Sequence, residues 1–246
     1  HWYSFMLWGR LGYDLGVPSW RIEKLIAARF GLDDANAFRL FEAWQAASQI
    51  IPQVNRFHWR DWDFMWAPEG CLDQRNGFHD VRMFMEVPPM EASGIVSIPD
   101  YVAAVVEARP IQGLSPVDVS NRLEAHAHRA LTGVAHLRGE SDTAECTETL
   151  NDIEAMAHLG RYYAAKIQGA TELHLFETTG KAAHRSQAVK HLQAAVDGWT
   201  SYARVAAAQY KPQLLARTRE LDWWALLEDV KKDVTIAEQA RTTRRP

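Results

Sequence analysis

Four stretches after Ser115 repeat apolar residues at helical spacing, and they restrict the fold class more than any other feature of the chain. The first sets Val119, Leu123, Ala127, Leu131 and Val134 on one face. The second, Thr143 to Thr179, carries Leu150, Ile153, Ala157, Gly160, Ala164, Ile167 and Leu173 as a stripe, and Gly180 stops it. The third uses Val189, Leu192, Val196, Trp199, Ala203, Ala206 and Tyr210 before Pro212, and the last turns Leu226, Leu227, Val230, Val234 and Ala237 inward. Apolar positions recurring at i, i+3, i+4 and i+7 define amphipathic helices. Helices joined by short links pack as antiparallel neighbours. Start signals agree: Ser115 with Pro116 and Asp118, Asp142 with Glu145, and Asp222 are each suited to cap a helix. Gly160, Ala164, Ala165 and Gly169 would let a neighbouring helix approach closely. The expected fold is mainly α: an antiparallel helical bundle over residues 113–246.

The first 112 residues read differently. Pro18 and Ser19 open a helix that Gly31 closes, and Asp33 caps another. In that second helix Phe38, Phe41, Trp44, Ser48 and Ile51 form the expected inner face, and Pro52 marks its end or a kink. From Gln53 to Pro99 the helical period fails, in a stretch holding four prolines and three glycines. Loops of that length in compact domains are usually functional or disordered. The aromatic content argues against disorder. Residues 1–112 are therefore expected to form helices and an aromatic-rich irregular layer in front of the bundle.

Charge and composition exclude several functions. A net charge of −4 gives no positive field to attract nucleic acid, and the arginines of "ARTTRRP" are a solvated end. No apolar run reaches the ~20 residues of a membrane span. Two cysteines, Cys71 and Cys146, cannot build a disulfide framework, although they could pair once. The chain begins at His1, inside what reads as a longer protein, so any export signal would precede it; a secreted or periplasmic protein fits.

Glu124, His126, His128, Glu154 and His158 suggest metal ligands, but the spacing is wrong. His126 and His128 point about 200° apart on a helix at ~100° per residue. Carboxylate-bridged metal bundles use Glu-x-x-His pairs. Neither a nucleophile elbow nor a phosphate loop occurs, so no metal and no cofactor are expected.

The segment "RFHWRDWDFMWAPEGC" is richer. Seven of the ten tryptophans precede residue 67, and Trp59, Trp62 and Trp66 fall at i, i+3, i+7. A buried aromatic stripe is one reading. The other is a sugar site, because aromatic faces cover C–H patches and carboxylates or amides bond hydroxyls. Its candidates are His58, Trp59, Asp61, Trp62, Asp63, Trp66, Glu69, His79 and Asp80, the last two from "GFHD".

The succession "WYSFMLWGRLGYD", "FEAWQAASQIIP", "FHWRDWDFMWAPEGC", "GFHDVRMFM", "SIPDYV" and "DIEAMAHLGRYYAAKIQGATELHLF" resembles the C-terminal helical region of large bacterial glycoside-hydrolase-like proteins, distantly similar to α-glucuronidases. Asp14-Leu15 departs from the family pattern only in a turn. The resemblance implies that this chain is a C-terminal piece of a TIM-barrel protein. The catalytic carboxylates would lie upstream of His1. The partners would be the preceding catalytic domain and an oligosaccharide or uronic-acid-containing glycan, with residues of this chain at the pocket rim. A glycosidase needs two carboxylates flanking the bond. Asp61, Asp63, Glu69 and Asp80 are the dense acid set in the present chain. The competing expectation is a non-catalytic structural or oligomerisation module, a homodimer in its simplest form.

Overall fold

The computed structural model describes residues 2–59, 65–215 and 219–242. Asp61, Trp62 and Asp63 lie outside the described residues. The chain is mainly helical, as its periodicity predicts. In order, the helices are α1 (Trp2–Tyr13), α2 (Ser19–Phe30), α3 (Asp34–Ser48), α4 (Ile50–Phe57), α5 (Val81–Glu86), α6 (Ile98–Val106), α7 (Pro116–Leu137), α8 (Ala144–Thr179), α9 (Ala182–Gln209) and α10 (Trp223–Gln239). Five two-residue strands complete the described structure: β1 (Trp66–Ala67), β2 (Leu72–Asp73) and β3 (Gly77–Phe78) form one antiparallel sheet in that order, and β4 (Gln213–Leu214) pairs with β5 (Glu220–Leu221).

Helix α8 is the spine. Its 36 residues span about 54 Å at 1.5 Å each. It packs against α7 and α9 along its length and against α3, α4, α5 and α6 on the remaining sides. Every member of its predicted stripe is buried. The small residues act as foreseen. A Cβ on Gly169 would lie 2.6 Å from Leu192 Cγ, and one on Gly160 would lie 2.8 Å from Ile50 Cδ1. A Cβ on Gly198 of α9 would stand 2.9 Å from the Tyr162 backbone nitrogen, so α8 and α9 meet almost main chain to main chain.

The caps follow the sequence with one exception. Ser115 and Asp118 form a reciprocal capping box at the start of α7. Asp33 accepts from the Asn36 N–H, and Asp222 accepts from the N–H groups of Trp224 and Ala225. Gly31 and Gly180 end α2 and α8 in the left-handed region. At the head of α8, however, Thr143 caps rather than Asp142. Its hydroxyl accepts from Cys146 N–H at 3.2 Å, while Glu145 turns outward to bond Arg29.

The inner face of α3 also differs from expectation. Phe38 is half exposed, and the buried residues include Ala37, Leu40, Ala43, Ala46 and Ala47. The cause is a close approach of α7: a Cβ on Gly133 would stand 2.7 Å from Ala43 Cβ. Large side chains do not fit that contact, so Phe41 and Trp44 pack on the flank of the core beside α1. Pro52 does not end α3, which stops at Ser48. It sits in the first turn of α4, where its missing N–H has no intrahelical acceptor to lose.

Two apolar cores result. One joins Ile26, Phe30, Leu40 and Ala47 to Ala127, Val134, Leu150 and Ile153. The other joins Val54, Phe57, Phe84 and Val102 to Leu123, Tyr163, Ile167, Leu192, Trp199 and Val230. Each draws on residues from both sides of position 113. Cys71 and Cys146 are both free and buried, one in each core.

Candidate functional site

Between α4 and α5 the described residues form a layer built on hydrogen bonds. Helix α4 ends at Phe57 and delivers His58, whose N–H closes on the Val54 carbonyl. The chain returns through β1, turns at Cys71 with a positive φ of 52°, and runs through β2 to a turn at Asp73. That carboxylate accepts from the Asn76 backbone N–H at 2.5 Å and its Nδ2 at 2.8 Å. Gly77, with φ of 76°, lets the chain reverse into β3.

His79 Nε2 lies 2.8 Å from Asp73 Oδ2, and His79 Nδ1 lies 2.8 Å from His58 Nε2. An ionised carboxylate only accepts, so His79 donates from Nε2, and in its neutral form it accepts at Nδ1 from His58. The line therefore runs from His58 through His79 to Asp73. His58 stacks on Phe84 at 4.0 Å between ring centres, and Trp66 lies 5.0 Å from it. Trp66 in turn donates its indole N–H to Asn55 Oδ1 at 3.1 Å.

The long helices hold this layer by its main chain. Tyr163 of α8 donates to the Pro68 carbonyl, and Tyr202 of α9 donates to the Glu69 carbonyl. Lys166 of α8, fully buried, donates to the His79 carbonyl at 2.7 Å and to Asp233 Oδ2 of α10 at 2.6 Å. Asp233 accepts from the Val81 N–H at 2.7 Å through its other oxygen. The Lys166 ammonium also sits 4.4 Å above the Phe78 ring.

The predicted site residues separate into groups. His58 and His79 are fully buried and presented to each other, so neither offers an atom to a molecule in solution. Phe84 and Trp66 pack against their rings. Asp80 caps α5 by accepting from the N–H groups of Arg82 and Met83. Trp59 is 38% exposed, and Trp66 and Glu69 are half-buried. Those three and the rim of Asp80 are the described candidates that reach the surface.

The partners that complete the network, Asp73, Asn76, Lys166 and Asp233, are not among the sequence candidates. Asp73 stands in "CLDQRNG", an Asx-turn signal next to the histidine. Lys166 and Asp233 carry no local signal, because each reads as an ordinary helix charge. The helical Glu and His residues lie elsewhere. Glu124 pairs with Arg161, Glu154 pairs with Arg138, and His158 is 3.8 Å from Glu154. Glu124 and His158 border a polar groove between α7, α8 and α9 that also includes Gln168, His191 and Asp197.

Burial pushes the Asp73 carboxyl upward, but the bonds from Asn76 and His79 outweigh it and hold the group well below the usual carboxylate range. A folded pKa below the unfolded value of about 3.9 means that the unfolded chain binds the proton first. The stabilisation is complete above about pH 4 and is lost as pH falls through the folded pKa. Denaturant titrations at descending pH are expected to show this loss in the parent chain and a flatter profile in Asp73→Asn. Equal slopes would contradict it.

No protein-family model matches the chain, and no curated protein does. The architecture does recur in a solved structure. The match is to a GH138 enzyme targeting pectin rhamnogalacturonan II, with a TM-score of 0.80 at 14% identity. It covers 94% of this chain and 36% of that chain, so the present chain spans about a third of that enzyme's length. At this identity the likeness is one of fold.

Proposed function

We propose that the chain is the helical part of a carbohydrate-active hydrolase, packed on a catalytic domain that precedes it, and that it lends the 58–80 layer to the rim of the substrate cleft. The observation that carries this is the fold shared with a GH138 enzyme across nearly the whole chain. A second feature supports it. Helix α1 has no buried residue, and Phe5, Trp8, Tyr13 and Leu15 are 72%, 82%, 95% and 88% exposed. Together with Leu11 and Trp20 they make an apolar surface of the kind that marks an interface. A preceding domain is the occupant that the shared fold favours. The glycan class is a uronic-acid-containing oligosaccharide, in keeping with an α-glucuronidase-like role, with Trp59, Trp66, Glu69 and Asp80 at the rim.

The test has two parts. The 246-residue chain by itself is expected to show no turnover of aryl glucuronides or galacturonides. A polypeptide extended by the preceding coding sequence is expected to hydrolyse a uronic-acid-containing oligosaccharide, and Trp8→Asp is expected to weaken the docking of the two parts. Turnover by the shorter chain that is lost in Glu69→Gln would place the chemistry here instead. A stable dimer in sedimentation, dissociated by Trp8→Asp, would favour the structural or oligomerisation module.

A further inference from the structure

A second aromatic and acidic pocket lies away from the 58–80 layer, where the start of α1 meets α3, the head of α8 and the end of α9. It encloses about 530 Å³ and is lined by Trp2, Tyr3 and Trp44 on one side and by Glu148, Asp152 and Tyr210 on the other. A volume of that size suits a small ligand.

The aromatic wall is built rather than incidental. Tyr3 and Trp44 stack at 4.2 Å between centres with their planes 20° apart, and Trp2 stands edge-on to both at 5.7 and 6.4 Å. The Arg29 guanidinium lies 4.4 Å over the Trp2 ring. It is fixed in turn by bonds of 2.9 and 2.7 Å to Glu145 Oε1. Glu145 is thereby neutralised.

The polar wall is also ordered. Asp152 Oδ1 accepts from Tyr210 Oη at 2.6 Å and from Gln209 Nε2 at 2.7 Å. Asn151 Nδ2 donates to Gln209 Oε1 at 2.9 Å and so sets the amide's orientation. Both bonds to Asp152 fall on Oδ1. Among the described residues Oδ2 accepts none, and the Glu148 carboxylate has no partner. Among the described residues, two acceptors thus stand available beside the aromatic wall.

We infer that this pocket, framed by Trp2, Tyr3, Trp44, Asp152 and Tyr210, binds a neutral saccharide unit. Ionised carboxylates only accept hydrogen bonds, so the ligand must bring donors, and sugar hydroxyls do. The aromatic wall covers the C–H face of the ring. The carboxylates of Glu148 and Asp152 disfavour a uronic acid here by like-charge repulsion. The Thr149 and Ser4 hydroxyls of the lining can donate as well as accept, while the Tyr210 proton is committed to Asp152, and this matches a polyol better than an ammonium group with donors alone. The inference takes its ligand class from the proposed carbohydrate function. It extends that reading by giving this chain a neutral subsite apart from the rim that faces the uronic acid.

Binding is read on the 246-residue chain, with no hydrolysis involved, so its failure is distinct from failure of the catalytic-domain reading. The probes are galactose, rhamnose, arabinose and xylo-oligosaccharides, followed by tryptophan fluorescence and titration calorimetry. At least one is expected to bind saturably, with digalacturonate weaker by about tenfold or more. Asp152→Asn, at an exposed helical position, is expected to keep the melting temperature and to weaken binding by about tenfold, the scale of one lost charge-assisted bond. Trp44→Phe, which keeps an aromatic side chain against Tyr3, is expected to weaken it as well. The inference is overturned if none of the neutral probes binds, if digalacturonate or tetramethylammonium binds as tightly as they do, or if binding survives Asp152→Asn unchanged.

Discussion

Lys166→Met is expected to destabilise the chain by about 3–5 kcal/mol, the cost of leaving a buried charge without its partner. Lys166 is fully buried, and Asp233 is only 1% exposed. Burial pushes the Asp233 carboxyl up against the pull of Lys166 and the Val81 N–H. Removing the ammonium leaves Asp233 with the Val81 N–H and leaves the His79 carbonyl with only the weak Cys71 thiol donor at 3.4 Å. Urea titrations would show the loss as a lower midpoint at unchanged slope. The double variant Lys166→Met/Asp233→Leu is expected to recover part of it, because an apolar pair of similar volume can replace a buried ion pair. Recovery stops short of the parent, because the Val81 N–H keeps a deficit of roughly 1–3 kcal/mol and the His79 carbonyl retains only the Cys71 thiol. A single-variant loss below about 1 kcal/mol, or a double variant weaker than the single, would show that the pair does not carry the junction of α8, α10 and the irregular layer.

Leu192→Ala should cost about 2–5 kcal/mol, and Ile153→Ala a similar amount. Leu192 is fully buried and fills the space over Gly169, where its Cγ is 2.6 Å from where a Cβ would stand. Because that glycine has no side chain to move into the vacancy, the cavity cannot collapse from the α8 side. Ile153 lies in the other core, beside α3 and α7. The two losses are therefore expected to add in a double variant, as for sites without shared neighbours. Thermal melts in which both changes are neutral would mean that the inner faces of α8 and α9 are wrongly assigned.

Much of this architecture is legible in the sequence because helices obey a local code. The stripe of α8, the capping box at Ser115 and the stops at Gly31 and Gly180 each depend on residues within a turn or two. The inner face of α3 departs from its sequence pattern for a non-local reason. Gly133, far along the chain, brings α7 so close that alanines are buried in place of aromatics. The irregular layer is a mixed case. Dense histidine, aspartate and tryptophan between Arg56 and Arg82 signal an ordered structure with satisfied polar groups, and His58, His79 and Asp73 are joined in that way. That the two histidines face inward has no local signature, since their burial depends on Phe84 and Trp66 closing over them. Lys166 and Asp233 are invisible for the same reason: a buried ion pair across two helices has no spacing rule. The acceptors of the second pocket, Asp152 beside Tyr210, are likewise brought together only by tertiary packing.

The way the layer is tied down has a bearing on how such a chain can change over generations. Tyr163, Tyr202 and Lys166 bind the carbonyls of Pro68, Glu69 and His79, and Asp233 binds the Val81 N–H. All four grips are on backbone atoms, which do not depend on the side chain carried there. Substituting Glu69 or the exposed Gln74 leaves those grips intact, whereas substituting one of the helix residues that make them does not. The layer is then a permissive stretch held in a strict frame: its outward side chains are open to exchange, and with them the molecules it meets, at little cost to the path of the chain.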